Sequence, residues 1–358
     1  MTKPINKNVA LLELGGSHTE CMHLQIKALK DYGYSIFLIC NCKLFDDFPN
    51  KTDFKAYQLF DDKKSVIDKI KQISSIKKFL NQNDINTLVI NTLEVTAVRD
   101  LLVFPPSTIK NYVALLHNAK KLNKAHFRYT RKRVKKILLL SKDIENSINI
   151  KSKHFKISTL YPIYFPQYPD FIVEKPDNEF WITIPGFISF KRKNLAYLFK
   201  SMQEETLNKG IKFIFLGKVN ENEQQEFKDE INKLPNSAVI KTFDSRIPEN
   251  VFATYIKSSD LILPLVNIDH YKSHRISGAY NLAYGYKIPL YLEAELNNCS
   301  DFEGVALFYQ KSKNIISQIN DLVENNNNVV EKYKQNLLYH SVFNTDAQCK
   351  YYIDFVMS

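Results

Sequence analysis

The chain has 358 residues, 44% hydrophobic and 24% charged, with 49 basic side chains against 38 acidic ones and a formal net charge of +11. That balance excludes a disordered or low-complexity protein and asks for two cores, since single cores stop growing near about 250–300 residues. No apolar run approaches the roughly 18–20 residues of a spanning helix. The opening MTKPINKNVALLELGG has no secretory pattern, so the expected location is the cytosol. Five cysteines (Cys21, Cys40, Cys42, Cys299, Cys349) are unevenly spread, and the CxC at 40–42 has no second pair. Thiols in a reducing compartment are therefore expected, and no zinc site.

From the N-terminus, strand-like runs fall at Val9–Leu14, Ser35–Asn41, Phe54–Phe60, Thr87–Asn91, Tyr112–His117, Ile137–Ser141 and Ile157–Tyr161. Helical patterns at 18–32 and 64–81 lie between them, which predicts βαβ units and a mostly parallel sheet. Residues 120–136, KKLNKAHFRYTRKRVKK, contain no acid. Lys121, Lys124, Arg128, Arg131 and Lys135 would share one face if this segment were helical. Such a face suits an anionic membrane surface, a phosphate-bearing acceptor or nucleic acid, and equally a solvated helix. Leu122, Phe127 and Val134 form no stripe, so surface contact is favoured over deep insertion.

Four prolines between 162 and 176 mark a linker. Beyond it the alternation restarts, with strands at Phe180–Ile184, Lys212–Leu216, Ala238–Thr242, Leu261–Val266, Leu290–Leu292 and Val305–Tyr309. Helices are predicted from about 193, over 222–233, 249–258, 277–287, 312–324 and 329–339, with the asparagine run at 325–328 as a loop. The expected organisation is a first Rossmann-like domain over 1–165, a linker over 166–179, a second over 180–340 and a C-terminal helix over 341–358. The fold class is α/β, with two facing Rossmann-like domains and a cleft between them.

Four places carry candidate chemistry. Gly15-Gly16-Ser17-His18-Thr19-Glu20 follows the first strand; it is not GxGxxG, and Asn41-Cys42 stands where a dinucleotide site would need an acid. Its glycines admit a ligand near the backbone, or form a tight turn. His117-Asn118 ends a buried strand, where a histidine serves as a general base or orients a hydroxyl. In PGFISFKRKN, the cations Lys191, Arg192 and Lys193 crowd a helix start, which a bound anion would rationalise. Finally, Lys272, His274 and Arg275 precede Ser277-Gly278, a turn opening a helix whose amides suit a phosphate or diphosphate.

In this order the motifs resemble those of GT-B glycosyltransferases, particularly the large retaining group that uses nucleotide-sugar donors. Gly15-Gly16 resembles that group's first-loop glycines and His117 its mid-domain histidine. Gly186 with Arg192 or Lys193 resembles the residues that open its second domain, although Phe187 stands where an arginine is usual. The resemblance departs at the donor region: a glutamate pair is absent, with His274 and Leu282 near those positions.

The resemblance implies a glycosyltransferase of surface-polysaccharide biosynthesis, moving a hexosyl unit from a nucleoside diphosphate sugar to a glycan or lipid-linked acceptor. Retention at the anomeric carbon is implied in the same way. His117, Arg192 and Lys193 would be catalytic. Arg192, Lys193, His274, Arg275, Ser277 and Gly278 would hold the donor, and Gly15, Gly16, His18, Glu20 and Asn118 the acceptor. No metal or cofactor is expected, nor a nucleic-acid partner. A peripheral position at the inner face of a membrane, through 120–136, is a further expectation. The rivals are a nucleotide-sugar epimerase or hydrolase of the same fold, and a non-catalytic anion-binding protein.

Overall fold

The computed structural model describes residues 7–61, 65–124, 127–148, 155–271, 274–325 and 327–358. It forms two compact units. One comprises residues 1–166 and 344–358 together with His274 and Arg275; the other holds the remainder of 167–343.

The first unit runs β1 (Asn8–Glu13), α1 (Glu20–Asp31), β2 (Ser35–Asn41), α2 (Cys42–Phe45), β3 (Phe54–Phe60), α3 (Val66–Gln82), β4 (Thr87–Ile90), α4 (Thr96–Val103), β5 (Asn111–Leu116), α5 (Phe127–Arg133), β6 (Lys136–Leu139), α6 (Lys142–Ser147) and β7 (Lys156–Thr159). All seven strands are parallel, in the order β3-β2-β1-β4-β5-β6-β7. Ala10, Leu11 and Leu12 are wholly buried, as a central strand covered by helices on both faces requires.

The second unit runs β8 (Phe180–Pro185), α7 (Leu195–Glu204), β9 (Ile211–Leu216), α8 (Gln224–Asn232), β10 (Ile240–Lys241), α9 (Glu249–Lys257), β11 (Leu261–Ile262), α10 (Ile268–Tyr271), α11 (Gly278–Tyr286), β12 (Leu290–Glu293), β13 (Ala306–Tyr309), α12 (Ile315–Asn325) and α13 (Asn327–Tyr339). Its parallel sheet has the order β10-β9-β8-β11-β12-β13. In both sheets the first strand is central and the order reverses beside it, so the loops after β1 and β4, and after β8 and β11, flank a topological switch point. Three of the predicted loops, at 14–19, 186–194 and 263–267, lie there; His117 follows β5.

A last helix, α14 (Thr345–Met357), packs on α1 of the first unit. The buried Lys136 ammonium donates to the carbonyls of Val356, at 2.9 Å, and Ser358, at 2.5 Å. Tyr161 donates its amide hydrogen to Gln348, and Asn111 donates to Val356 O.

Three expectations change. Leu261–Val266 is strand only over its first two residues. Pro264 has no N–H for a ladder and Leu265 takes a left-handed φ of +51°, so the chain turns away. Of the asparagine run expected as a loop, Asn325 ends α12 and Asn327 and Asn328 open α13, while residue 326 lies outside the described residues. The basic segment is not one helix: a 3-10 turn covers Ala119–Asn123, α5 follows, and β6 begins at Lys136. Residues 125–126 lie outside the described residues. Leu122, Phe127 and Val134 show no stripe because each enters the core.

Candidate functional site

In the first unit the polar groups at the carboxyl ends of β1 and β4 converge on Glu13, which has no exposure, and His117 after β5 joins them through Asn91. Its carboxylate accepts from the Gly15 amide at 2.6 Å, the Asn91 side chain at 2.7 Å and the Thr92 hydroxyl at 2.5 Å. Burial, partly offset by these bonds, raises its pKa. Gly15 is fixed by this carboxylate: a Cβ there would lie 2.8 Å from Glu13 Oε1, whereas one on Gly16 would meet nothing.

Asn91 extends the network. Its amide also donates to His18 O at 2.9 Å and accepts from Gln25 at 2.8 Å, and its carbonyl accepts from His117 Nε2 at 2.8 Å. Gln25 in turn accepts from the Tyr352 hydroxyl at 3.3 Å, linking α14 to the loops.

His18 takes a left-handed φ of +75°, uncommon for a non-glycine residue. It stacks on His117 with ring centroids 4.0 Å apart, and its Nδ1 lies 3.1 Å from Glu20 Oε1. Side-chain exposures of 34% for His18 and 39% for Glu20 leave this pair accessible to a ligand. Glu94 accepts from the Asn118 amide at 2.6 Å, while its Oε2 is buried without a hydrogen-bond partner.

The stacked imidazoles cannot both ionise freely. Burial, then the charge of His18, lowers His117 to about 4. Burial opposes charge on His18 as well, but the hydrogen bond and charge of Glu20, with Glu13 and Glu94 behind it, raise its pKa overall. Glu20 is lowered despite burial, again through His18. His117 therefore stays neutral at physiological pH with its Nε2 hydrogen committed to Asn91. This makes it a weak general base and a good orienting group, and His18 is the imidazole that takes the proton.

A pH dependence follows. His23, 7% exposed, is also lowered to about 4, by burial. A histidine with a depressed folded pKa stabilises fully above its unfolded value of about 6.5, and that stability is lost as pH falls toward 4. For His23 the loss is on the order of 3 kcal/mol. The raised His18 acts oppositely, contributing below about 6.5 and losing that contribution as pH rises through its folded pKa. The urea midpoint, followed by helical circular dichroism, should fall between about pH 7.5 and pH 5, and fall less in His23→Leu. Equal falls in both proteins would exclude His23 as a cause.

In the second unit, residues 186–194 form a rigid loop after β8. Gly186 has φ +85°. The Ser189 hydroxyl and Phe190 amide both donate to Glu223, at 3.1 and 2.8 Å. The amides of Asn194 and Asn267 donate to Leu265 O and Arg192 O, tying this loop to the one after β11.

The three cations then separate. Lys193, 6% exposed, turns inward and donates to the carbonyls of Pro185 at 3.0 Å and Pro264 at 2.9 Å. Burial, then the neighbouring Arg192, lowers it to about 7, so it carries only a fractional charge near neutrality. This corrects the expectation that its ammonium faces a phosphate: Lys193 braces the loop. Arg192 is exposed, its guanidinium 5.4 Å from the centre of the Phe187 ring. Phe187 thus supports the cation of Arg192. Lys193→Met should cost about 2–3 kcal/mol by leaving both carbonyls unpaired. Chemical denaturation followed by Trp181, the one tryptophan and a residue of β8, reads this directly.

Ser277 is the N-cap of α11; its hydroxyl accepts from the Ala279 amide at a long 3.4 Å. Gly278 opens the helix with space around it. Lys272 lies outside the described residues. His274 and Arg275 group with the first unit rather than with Ser277-Gly278: His274 O accepts from the Ala119 amide at 2.9 Å, and Arg275's charge helps depress His117.

Sequence reasoning missed Glu13, Asn91 and Glu94, although an acid closing the run VALLE was a usable signal. It also missed Glu293, a 4% exposed carboxylate ending β12, paired with Lys311 at 3.4 Å and 3.5 Å from the Asn194 amide nitrogen.

No protein-family model and no curated protein matches the chain. Among solved structures, HepE from Anabaena in complex with UDP is similar at TM-score 0.69 and 11% identity, over 97% of this chain and 98% of that one. Sucrose-phosphate synthase from Thermosynechococcus elongatus is similar at TM-score 0.68 and 10% identity, over 98% and 100%. The fold is GT-B. A chain assigned as a UDP-N-acetylglucosamine 2-epimerase, from Listeria monocytogenes, is similar at TM-score 0.62 and 10% identity, over 97% and 94%. The GT-B architecture thus accounts for both sheets and for the loops at their switch points.

Proposed function

We propose that this GT-B protein is a glycosyltransferase that takes its sugar from a nucleoside diphosphate. The observation that carries the reading is Arg192, an exposed cation braced on Phe187 at the second sheet's switch point. HepE, of the same fold, has been solved with UDP-glucose. Arg192 and the amides at Ser277-Gly278 would meet the diphosphate. Its charge grows as the glycosidic bond breaks, so fixed positive groups there act mainly on the transition state.

Lys193 holds Arg192's loop in place, and Glu293 with Asn194 would face the sugar where the glutamate pair is missing. In the first domain, His18 with Glu20 would receive the acceptor's proton. Neutral His117, with Asn118 and the open Gly16, would orient its hydroxyl. Transfer of a hexosyl unit with retention, a glycan or lipid-linked acceptor in surface-polysaccharide synthesis, and the absence of a resident metal or cofactor belong to the same proposal.

Thermal-shift and calorimetric titration with UDP, GDP and their sugars test the donor assignment. Stabilisation by one nucleotide family supports it, and no response to any of them sinks it. The epimerase reading draws on the cluster of Glu13, Glu20 and Glu94 around two histidines. Incubation of responding sugars without acceptor separates the two: multiple-turnover conversion to an equilibrium mixture of epimers would replace the transferase, whereas slow hydrolysis fits it.

A further inference from the structure

Helix α3 turns an apolar face to water. Ser65 caps it, accepting from the Asp68 amide at 3.0 Å, and then Val66, Ile67 and Ile70 stand 71%, 65% and 62% exposed. The opposite face buries Gln72, Ile76 and Leu80 against the first sheet's layer. At about 100° per residue the three aliphatics fall in one sector, which Lys71, Ser74, Lys77 and Lys78 continue along the helix. Local folding does not explain them, because β-branched residues have lower helix propensity than the straight-chain polar residues usual on a solvent face. Just beyond α4, Phe104 is 66% exposed, with the Lys77 ammonium 5.9 Å from its ring centre. The nearby acids are engaged: Asp68 accepts from the Ser65 hydroxyl at 2.6 Å, and Asp100 pairs with Arg99 at 3.3 Å.

We propose that this face of α3 docks on an anionic lipid surface. Val66, Ile67 and Ile70 enter the headgroup boundary, and Lys71, Lys77 and Lys78 meet the lipid phosphates. Charge selects this occupant. An isologous contact between two copies would set these lysines against one another, whereas an anionic surface neutralises them. The helix lies on the membrane; among the described residues none is long and apolar enough to cross it. Leu122, Phe127 and Val134 of the 120–136 segment lie in the core, so α3 supplies apolar contacts that these three do not.

Co-sedimentation of the full chain with phosphatidylcholine vesicles, with and without one-third phosphatidylglycerol, tests it. Partition should favour the anionic vesicles, fall with salt, and drop at least tenfold in Ile67→Glu/Ile70→Glu. It should be unchanged in Lys120→Glu/Lys121→Glu. Ile67 and Ile70 are exposed, so circular dichroism and nucleotide-induced thermal shifts of their double variant should match the parent, which separates loss of docking from loss of the donor site. A wild type that ignores anionic vesicles, or a double variant within twofold of it, overturns the proposal. So does a dimer that the double variant dissolves without any vesicle binding, which would give the face to a second copy.

Discussion

Arg192→Ala should lower kcat/KM for the donor sugar by about 100-fold or more, the usual loss when a preorganised charge on a developing anion is removed. The side chain is exposed and lies over Phe187, so the Trp181 unfolding midpoint should barely move. Affinity for the intact sugar nucleotide should fall less than turnover, because the leaving diphosphate gains charge that the bound donor does not yet carry. Arg192→Lys keeps the charge but loses the planar fork and its stacking, and should recover only part of the activity. Activity within threefold of the parent in the alanine variant would remove Arg192 from the site. The contrast with Lys193 is diagnostic: the Lys193→Met variant loses stability first and activity through it.

Gly217→Ala should be among the most damaging single substitutions in the second domain, costing on the order of 4 kcal/mol. A Cβ at 217 would sit 1.8 Å from Gly186 O and 2.6 Å from its carbonyl carbon. Both neighbours are backbone, so no rotamer change relieves the overlap. Gly186 cannot yield easily either, with φ +85° and its amide bonded to Leu216 O at 2.9 Å. Relief must come from moving the 186–194 loop, so nucleotide binding should weaken alongside stability. Denaturation followed by Trp181 should show the lower midpoint. An unchanged midpoint would mean that the loop shifts freely, and the rigidity argued for it would fall.

Much of the fold was legible in the sequence, because buried parallel strands write themselves as unbroken apolar runs. Ser35–Asn41 has the bounds that such a run predicts, and Phe54–Phe60, an edge strand of mixed sequence that is mostly not buried, also has its expected bounds. Leu261–Val266 was overextended because hydrophobicity continues through Pro264 and Leu265, where backbone geometry ends the ladder. Spacing of lysines alone suggested a helix over 120–136, but cationic periodicity carries no packing information, and the scattered Leu122, Phe127 and Val134 were the better guide.

The candidate sites were legible by loop and not by role. Lys191, Arg192 and Lys193 are equivalent as letters; only the carbonyls of Pro185 and Pro264 distinguish the one that turns inward. Glu13 was hidden because a carboxylate at the end of an apolar strand acquires meaning from Gly15 in its own loop and from Asn91 and Thr92, which the end of a distant strand brings to it. Exposed Val66, Ile67 and Ile70 were hidden for the converse reason, since an apolar letter within a helix reads by default as core.

The docking of α14 has a consequence for how the protein is made. The helix that satisfies the Lys136 ammonium and, through Tyr352 and Gln25, reaches Asn91 is translated only after the whole second domain. At about 5–20 residues per second, the first sheet waits roughly 10–40 s after its last strand before that helix exists. During this interval the apolar wall of α1 that receives α14 is uncovered on the ribosome, and the neighbouring second domain folds beside an unfinished one. The first domain becomes complete by capture of a late segment, so premature termination within 344–358 would damage the part of the molecule made earliest.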